Sequence, residues 1–72
     1  MSGGKVLAVN KDNNFIVIDM GESSGVKVGD SFQVFREGQS IAAIEAIQVR
    51  RDIAACDIRR QNAMPKIGDM VQ

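Results

Sequence analysis

The sequence predicts an all-β fold, six short strands in a closed or nearly closed small β-barrel with an internal pseudo-twofold repeat, built as one domain over residues 1–72. Three observations predict it. Short apolar, β-branched runs alternate with clusters of turn formers, the pattern of hairpins. The step Gly-Asp breaks an apolar stretch twice, in "GVKVGDSFQVF" (Gly25 to Phe35) and again in "MPKIGDMVQ" (Met64 to Gln72). The chain also aligns with itself when slid by 38 places, largely apolar on apolar.

Met1 to Gly4, "MSGG", reads as a start residue and flexible leader, too short and uncharged for a signal peptide. "VLAV" (Val6 to Val9) is the first strand, "NKDNN" turns the chain, and "FIVIDM" (Phe15 to Met20) returns as the second strand of a hairpin. "GESSGVKVGD" holds three glycines and two serines in ten residues, which leaves room for an irregular loop or one short helical turn. "SFQVFR" (Ser31 to Arg36) is a strand with Phe32 and Val34 on one face and Gln33 and Phe35 on the other. "EGQS" then turns the chain again.

The stretch "IAAIEAIQVRRDIAACDI" is ambiguous on local pattern. Ile41, Ile44 and Ile47 lie three apart among alanines, as on an amphipathic helix of about four turns. The self-alignment favours strands. It sets Val6 on Ile44, Ala8 on Ala46, Val9 on Ile47, Phe15 on Ile53, Ile18 on Cys56 and Asp19 on Asp57; one inserted residue later, Val28-Gly29-Asp30 falls on Ile67-Gly68-Asp69. The half-repeats are then about 4–36 and 41–72, with Ile41 to Val49 and "IAACDI" as strands joined at "RRD". Gly29, Asp30, Gly68 and Asp69 are structural turn residues. Glycine takes backbone angles denied to other residues, and the aspartate beside it accepts hydrogen bonds from turn amides. Two such halves interlock into a barrel without exposed edges.

The signature "VKVGDSFQV" and "PKIGDMV", two apolar-flanked Gly-Asp boxes each leading into a strand, resembles the Gly-Asp box of the cradle-loop barrels, the group with RIFT-type and double-psi barrels. More narrowly, Gly4 to about Val71 is similar to small bacterial domains such as the C-terminal domain of flagellar assembly protein T. That pattern often carries a glycine soon after the equivalent of Ile41, where this chain has Ala42 and Ala43. The resemblance implies a barrel, and a place as one domain of a larger bacterial envelope protein; a periplasmic or envelope location follows from it alone.

Composition narrows the chemistry. Nine Lys/Arg balance nine Asp/Glu, so no large field steers a polyanion toward the domain. Histidine is absent and Cys56 stands alone, which excludes a Cys/His zinc site and an internal disulfide. Without His, Tyr or Trp, acid-base catalysis would fall to the repeat-related carboxylates Asp19 and Asp57, read instead as ending their strands by bonding the following loops. Cys56 reads as a small core hydrophobe. "GESSG" lacks the Gly-Lys-Ser/Thr of a phosphate loop. No run reaches the about 18 apolar residues of a spanning helix.

What remains is a non-catalytic structural or protein–protein interaction module, not an enzyme, with no cofactor and no metal. It presents the loops "NKDNN", "GESSG", "EGQS" and "RRD" on a core of Val6, Leu7, Val9, Ile16, Ile18, Val26, Val28, Phe32, Val34, Ile44, Ile47, Ile53, Cys56, Ile58 and Ile67. The expected partner is protein, and membrane insertion is not expected. The short last strand "DMVQ" leaves a homodimer by strand exchange open. The alternative is an OB-like nucleic-acid-binding barrel using Arg50, Arg51, Arg59 and Arg60 with Phe15 or Phe35. The two arginine pairs lie about 30 Å apart at extended-strand rise, and so few aromatics for stacking disfavour it.

Overall fold

The computed structural model describes residues 3–72. Six strands, β1 (Gly4–Asn10), β2 (Phe15–Ile18), β3 (Ser31–Arg36), β4 (Gln39–Val49), β5 (Ala54–Gln61) and β6 (Met70–Val71), pair antiparallel and close into a barrel in the order β1-β2-β5-β4-β3-β6. The helical content among the described residues is one 3-10 turn, Glu22–Ser24, in the segment expected to hold an irregular loop or one short helical turn. Residues 41–49 are strand, so the threefold isoleucine spacing is overridden by pairing on both sides of β4. Gly4 belongs to β1 and is buried, contrary to a leader ending there; Met1 and Ser2 lie outside the described residues.

The core is aliphatic: Val6, Ile16, Ile18, Val26, Val34, Ile44, Cys56 and Ile58 are buried as expected, joined by Met20, Ile41, Ala42, Ala46, Ala54 and Val71. Val9 and Phe32 are half-buried against it. Five residues assigned to the core are exposed instead: Leu7, Val28, Ile47, Ile53 and Ile67. Leu7 and Ile47 each sit at a β-bulge, where the register skips from Val6 to Ala8 and from Ala46 to Gln48. The extra residue puts two consecutive side chains on the outer face, which strict alternation forbids. Val28 and Ile67 immediately precede the box glycines, and Ile53 stands in the β4–β5 turn just before β5.

The hairpin joining β3 to β4 pairs Arg36 with Gln39 across a two-residue turn, with φ 52° at Glu37 and 80° at Gly38. Such turns need positive φ at both central positions, a conformation that Asn tolerates and Glu does not. Glu37→Asn is therefore expected to raise stability by about 0.5–1 kcal/mol, read as a higher urea midpoint at unchanged slope.

Gly21 enters the 3-10 turn in extended conformation, φ −151° and ψ −152°. It does not need unusual angles; it needs to lack a side chain. The β4–β5 turn passes directly over it, with the amides of Glu22 and Ser23 donating to the carbonyls of Arg50 and Arg51 at 2.8 and 2.9 Å. A Cβ on Gly21 would overlap the Arg50 carbonyl oxygen and lie 2.7 Å from the Ile53 nitrogen.

Candidate functional site

The two Gly-Asp boxes carry the same hydrogen bonds. In the first, the Lys27 amide donates to Asp30 Oδ2 at 2.9 Å and the Asp30 amide to the Lys27 carbonyl at 3.0 Å. In the second, the Lys66 amide donates to Asp69 Oδ2 at 2.8 Å and the Asp69 amide to the Lys66 carbonyl at 3.0 Å. The glycines between have φ 96° and 95°, angles that L side chains resist. Each box then clips onto a strand of the opposite half. Gly29 donates to the Ala46 carbonyl at 2.8 Å while the Ala46 amide returns to the Asp30 carbonyl at 2.8 Å. Gly68 donates to the Val6 carbonyl at 2.8 Å while the Val6 amide returns to the Asp69 carbonyl at 2.9 Å.

These bonds make Ala46 the counterpart of Val6, forty places on, where the sequence alignment put Ile44. In β2 and β5 the offset of 38 places holds: Ile18 meets Val6 as Cys56 meets Ala46. The two connecting loops are equally long, but the first hairpin carries one more ladder pair, Asn10 with Phe15, two residues that the ungapped alignment of that hairpin does not accommodate.

The boxes differ in one respect. Asp69 is only 9% exposed and receives a bidentate Arg36, Nη2 to Oδ2 at 2.7 Å and Nε to Oδ1 at 3.1 Å; Nη2 also donates to the Met64 carbonyl at 2.9 Å. The Arg36 hydrogen bond holds the Asp69 carboxyl below its usual range, against burial, and Asp69 in turn raises Arg36. Asp30 makes no such pair among the described residues. Arg36 was not singled out in the sequence, where it is an ordinary strand-end arginine.

The proposed arginines are not brought together. Arg50 and Arg51 lie in the β4–β5 turn, engaged through their carbonyls, while Arg59 and Arg60 lie at the far end of β5, where Arg60 faces Ala43 of β4. Arg59 is drawn toward Asp57 at 3.4 Å and Glu45 at 3.8 Å, all three at the surface. Phe15, Phe32 and Phe35 are each half-buried. Asp19 accepts the Lys5 amide at 2.7 Å just past β2, but Asp57 lies inside β5 opposite Phe15, correcting the expectation that it ends a strand. The two carboxylates thus flank opposite ends of the β2–β5 ladder, about 13 Å apart by strand rise, and form no dyad.

Cys56 is fully buried beneath the β2–β5–β4 ladders, and burial, with a smaller push from Asp57, raises its thiol to about 12. The thiolate is the nucleophile, so iodoacetamide at pH 8 is expected to label Cys56 only as the barrel opens. Labelling rates should rise with urea in step with global unfolding; prompt labelling of the native protein would contradict the buried position.

A shallow recess of about 190 Å³ opens between the start of β4 and the end of β5, lined by Gln33, Ser40, Ala43, Arg60 and Asn62 among others. It falls below the ~300 Å³ at which small-molecule sites begin. Among the described residues no three His, Cys, Asp or Glu converge on a metal position, and no helix is long and apolar enough to cross a membrane.

The exposed aliphatics are what the surface offers. Val28 is 67% exposed and Ile67 72%, each next to a box glycine; Leu7 and Ile47, on the bulges, are each 46% exposed. Gly29 bonds Ala46 and Gly68 bonds Val6, so the residue before each box glycine and the bulge residue next to its partner, Val28 and Ile47 in one case and Ile67 and Leu7 in the other, flank the same backbone junction. No protein-family model matches the chain, and no curated protein matches it.

Proposed function

We propose that this chain is a non-catalytic protein-interaction module, one domain of a larger bacterial envelope-associated protein. The observation that carries this reading is the presentation of Val28, Ile47, Leu7 and Ile67 on a closed framework, held outward by bulges and box turns whose hydrogen bonds fix them. Outward aliphatics set on rigid backbone lose little entropy on docking, the condition under which a small apolar surface contributes to binding. The likeness of the two boxes to those of cradle-loop barrels supports the bacterial setting. An internal duplication is part of the proposal: exchanging β1–β3 with β4–β6 leaves the ring order unchanged, and the bulges and boxes recur at matching places.

The test is site-specific photo-crosslinking of the full protein in the cells that make it, with the photoreactive residue at position 28 or 67 and, as control, at Asp12 in the exposed β1–β2 turn. Protein adducts from 28 and 67 exceeding those from 12 are expected; equal or absent adducts overturn the reading. The nucleic-acid rival makes a separate demand: affinity for a single-stranded oligonucleotide that falls as salt rises and is lost in R50E/R51E. No such binding is expected at any salt concentration.

A further inference from the structure

We infer that the recess between the start of β4 and the end of β5 is a seat for a single carboxylate, either the C-terminal carboxylate of a peptide or an acidic side chain. None of the outward aliphatics on which the interaction reading rests lines this recess, so either can fail without the other. The site comes from a third bulge. Between Ala43 and Ile44 the register of β4 on β5 skips from Arg60 to Ile58, which leaves Arg59 as the extra residue. Two successive arginines are thereby exposed, and they part: Arg59 is drawn to Asp57 and Glu45, while Arg60 lines the recess. Arg60 stands opposite Ala43 in the ladder, and Ala43 stands opposite Gln33 of β3. A methyl group between two long cross-strand neighbours leaves a hollow above it, here about 190 Å³. The Asn62 amide donates to the Ile41 carbonyl at 2.8 Å, tying the end of β5 to the start of β4 at this place.

The lining is rich in donors. Ser40 Oγ donates to Gln33 Oε1, so the acceptor of Gln33 is engaged and both its amide protons remain to be given. The Asn62 side-chain amide and the Arg60 guanidinium add to them, and no Asp or Glu lines the recess. The nearest carboxylates along these strands, Glu45 and Asp57, are those that Arg59 faces. The recess therefore holds one full positive charge and neutral donors around it. One guanidinium balances one carboxylate, and its planar fork matches the two oxygens. A phosphate group carries about 1.5–2 negative charges at neutral pH and would meet only one positive charge here. The volume excludes a drug-sized molecule but admits a carboxylate with the carbon that bears it.

The test is an NMR titration of the ¹⁵N-labelled protein at pH 7 and constant ionic strength, following backbone and side-chain amides. N-acetylglycine supplies a terminal carboxylate and the α-amide of N-acetylglutamic acid a side-chain one; N-acetylglycinamide and inorganic phosphate are the comparison arms. Expected with the carboxylates are saturable shifts confined to residues 40–43 and 60–62 and the side-chain amides of Gln33 and Asn62, with none from the uncharged amide. The tighter of the two carboxylates names the source. Arg60→Gln should weaken binding by about tenfold, what losing a charge-assisted pair removes, whereas Lys11→Gln, which deletes the same charge from the exposed β1–β2 turn, should leave it unchanged. Ala43→Met fills the hollow without touching a donor and should abolish the shifts while the rest of the spectrum stays native. Shifts that never saturate, equal losses in Lys11→Gln and Arg60→Gln, or binding that survives Ala43→Met overturns the inference. So does tighter binding of phosphate, which would assign the recess to another anion. Crosslinks from 28 and 67 report on the aliphatics alone, so failure at the recess leaves the module reading standing.

Discussion

Gly21→Ala is expected to leave the chain largely unfolded at 25 °C. The added methyl meets backbone, the Arg50 carbonyl and the Ile53 nitrogen, and neither can rotate away as a side chain would. Relief requires lifting the β4–β5 turn off the 3-10 turn, which breaks the two hydrogen bonds from Glu22 and Ser23. A cost of about 3–5 kcal/mol is in line with other overpacked, strained sites. A domain of this size holds about 3–5 kcal/mol in total, so the folded population should nearly vanish. Circular dichroism with a thermal scan reads it directly. Gly29→Ala is the contrast: a Cβ there meets nothing within 4 Å and suffers only from φ, so about 1–2 kcal/mol is expected. Equal losses at the two glycines would mean that the turn does not press on Gly21.

Arg36→Met should cost about 2–4 kcal/mol, because it strands the buried Asp69 carboxylate while leaving the apolar stem in place. Asp30→Ala, which removes the matching but more exposed carboxylate of the first box, should cost about 1 kcal/mol. The pH dependence separates the two. In the native protein Asp69 is held below its usual pKa, so its contribution is fully present above about pH 4 and is lost as pH falls through the lowered value. In Arg36→Met burial acts on it against the Lys66 amide and the Lys66 charge, the larger downward pull of Arg36 is gone, and most of that acid-side loss should disappear. Urea unfolding at pH 7 and pH 3 therefore predicts a large gap between native and variant at pH 7 that narrows at pH 3. A gap of constant size would make Arg36 a packing residue.

Most of the architecture was legible because the punctuation was strong. "NKDNN", "EGQS" and the paired Gly-Asp steps each mark a place where the backbone must turn, and the repeat carried residues 41–49 over from helix to strand. What period and propensity do not encode is the bulge. Leu7 and Ile47 look like core residues in any alternating pattern, and only the register shows that an extra residue turns them outward. Val28 and Ile67 were hidden by a similar assumption, that a valine or isoleucine next to a glycine must be buried. The same four residues compose the candidate site, so a single kind of error concealed both. One signal was present: each lies in the matched Lys-aliphatic-Gly-Asp steps or the matched bulges, places where geometry rather than burial dictates the backbone. Arg36 left no signal, because its role depends on which carboxylate the closure of β3 against β6 brings to it.

The closure of the ring also has a topological consequence. Gly4 pairs with Val71, so the chain enters and leaves the domain on neighbouring strands, about 5 Å apart at the α-carbons. Ends this close are the geometry by which a domain can be carried in a surface loop without prying that loop open.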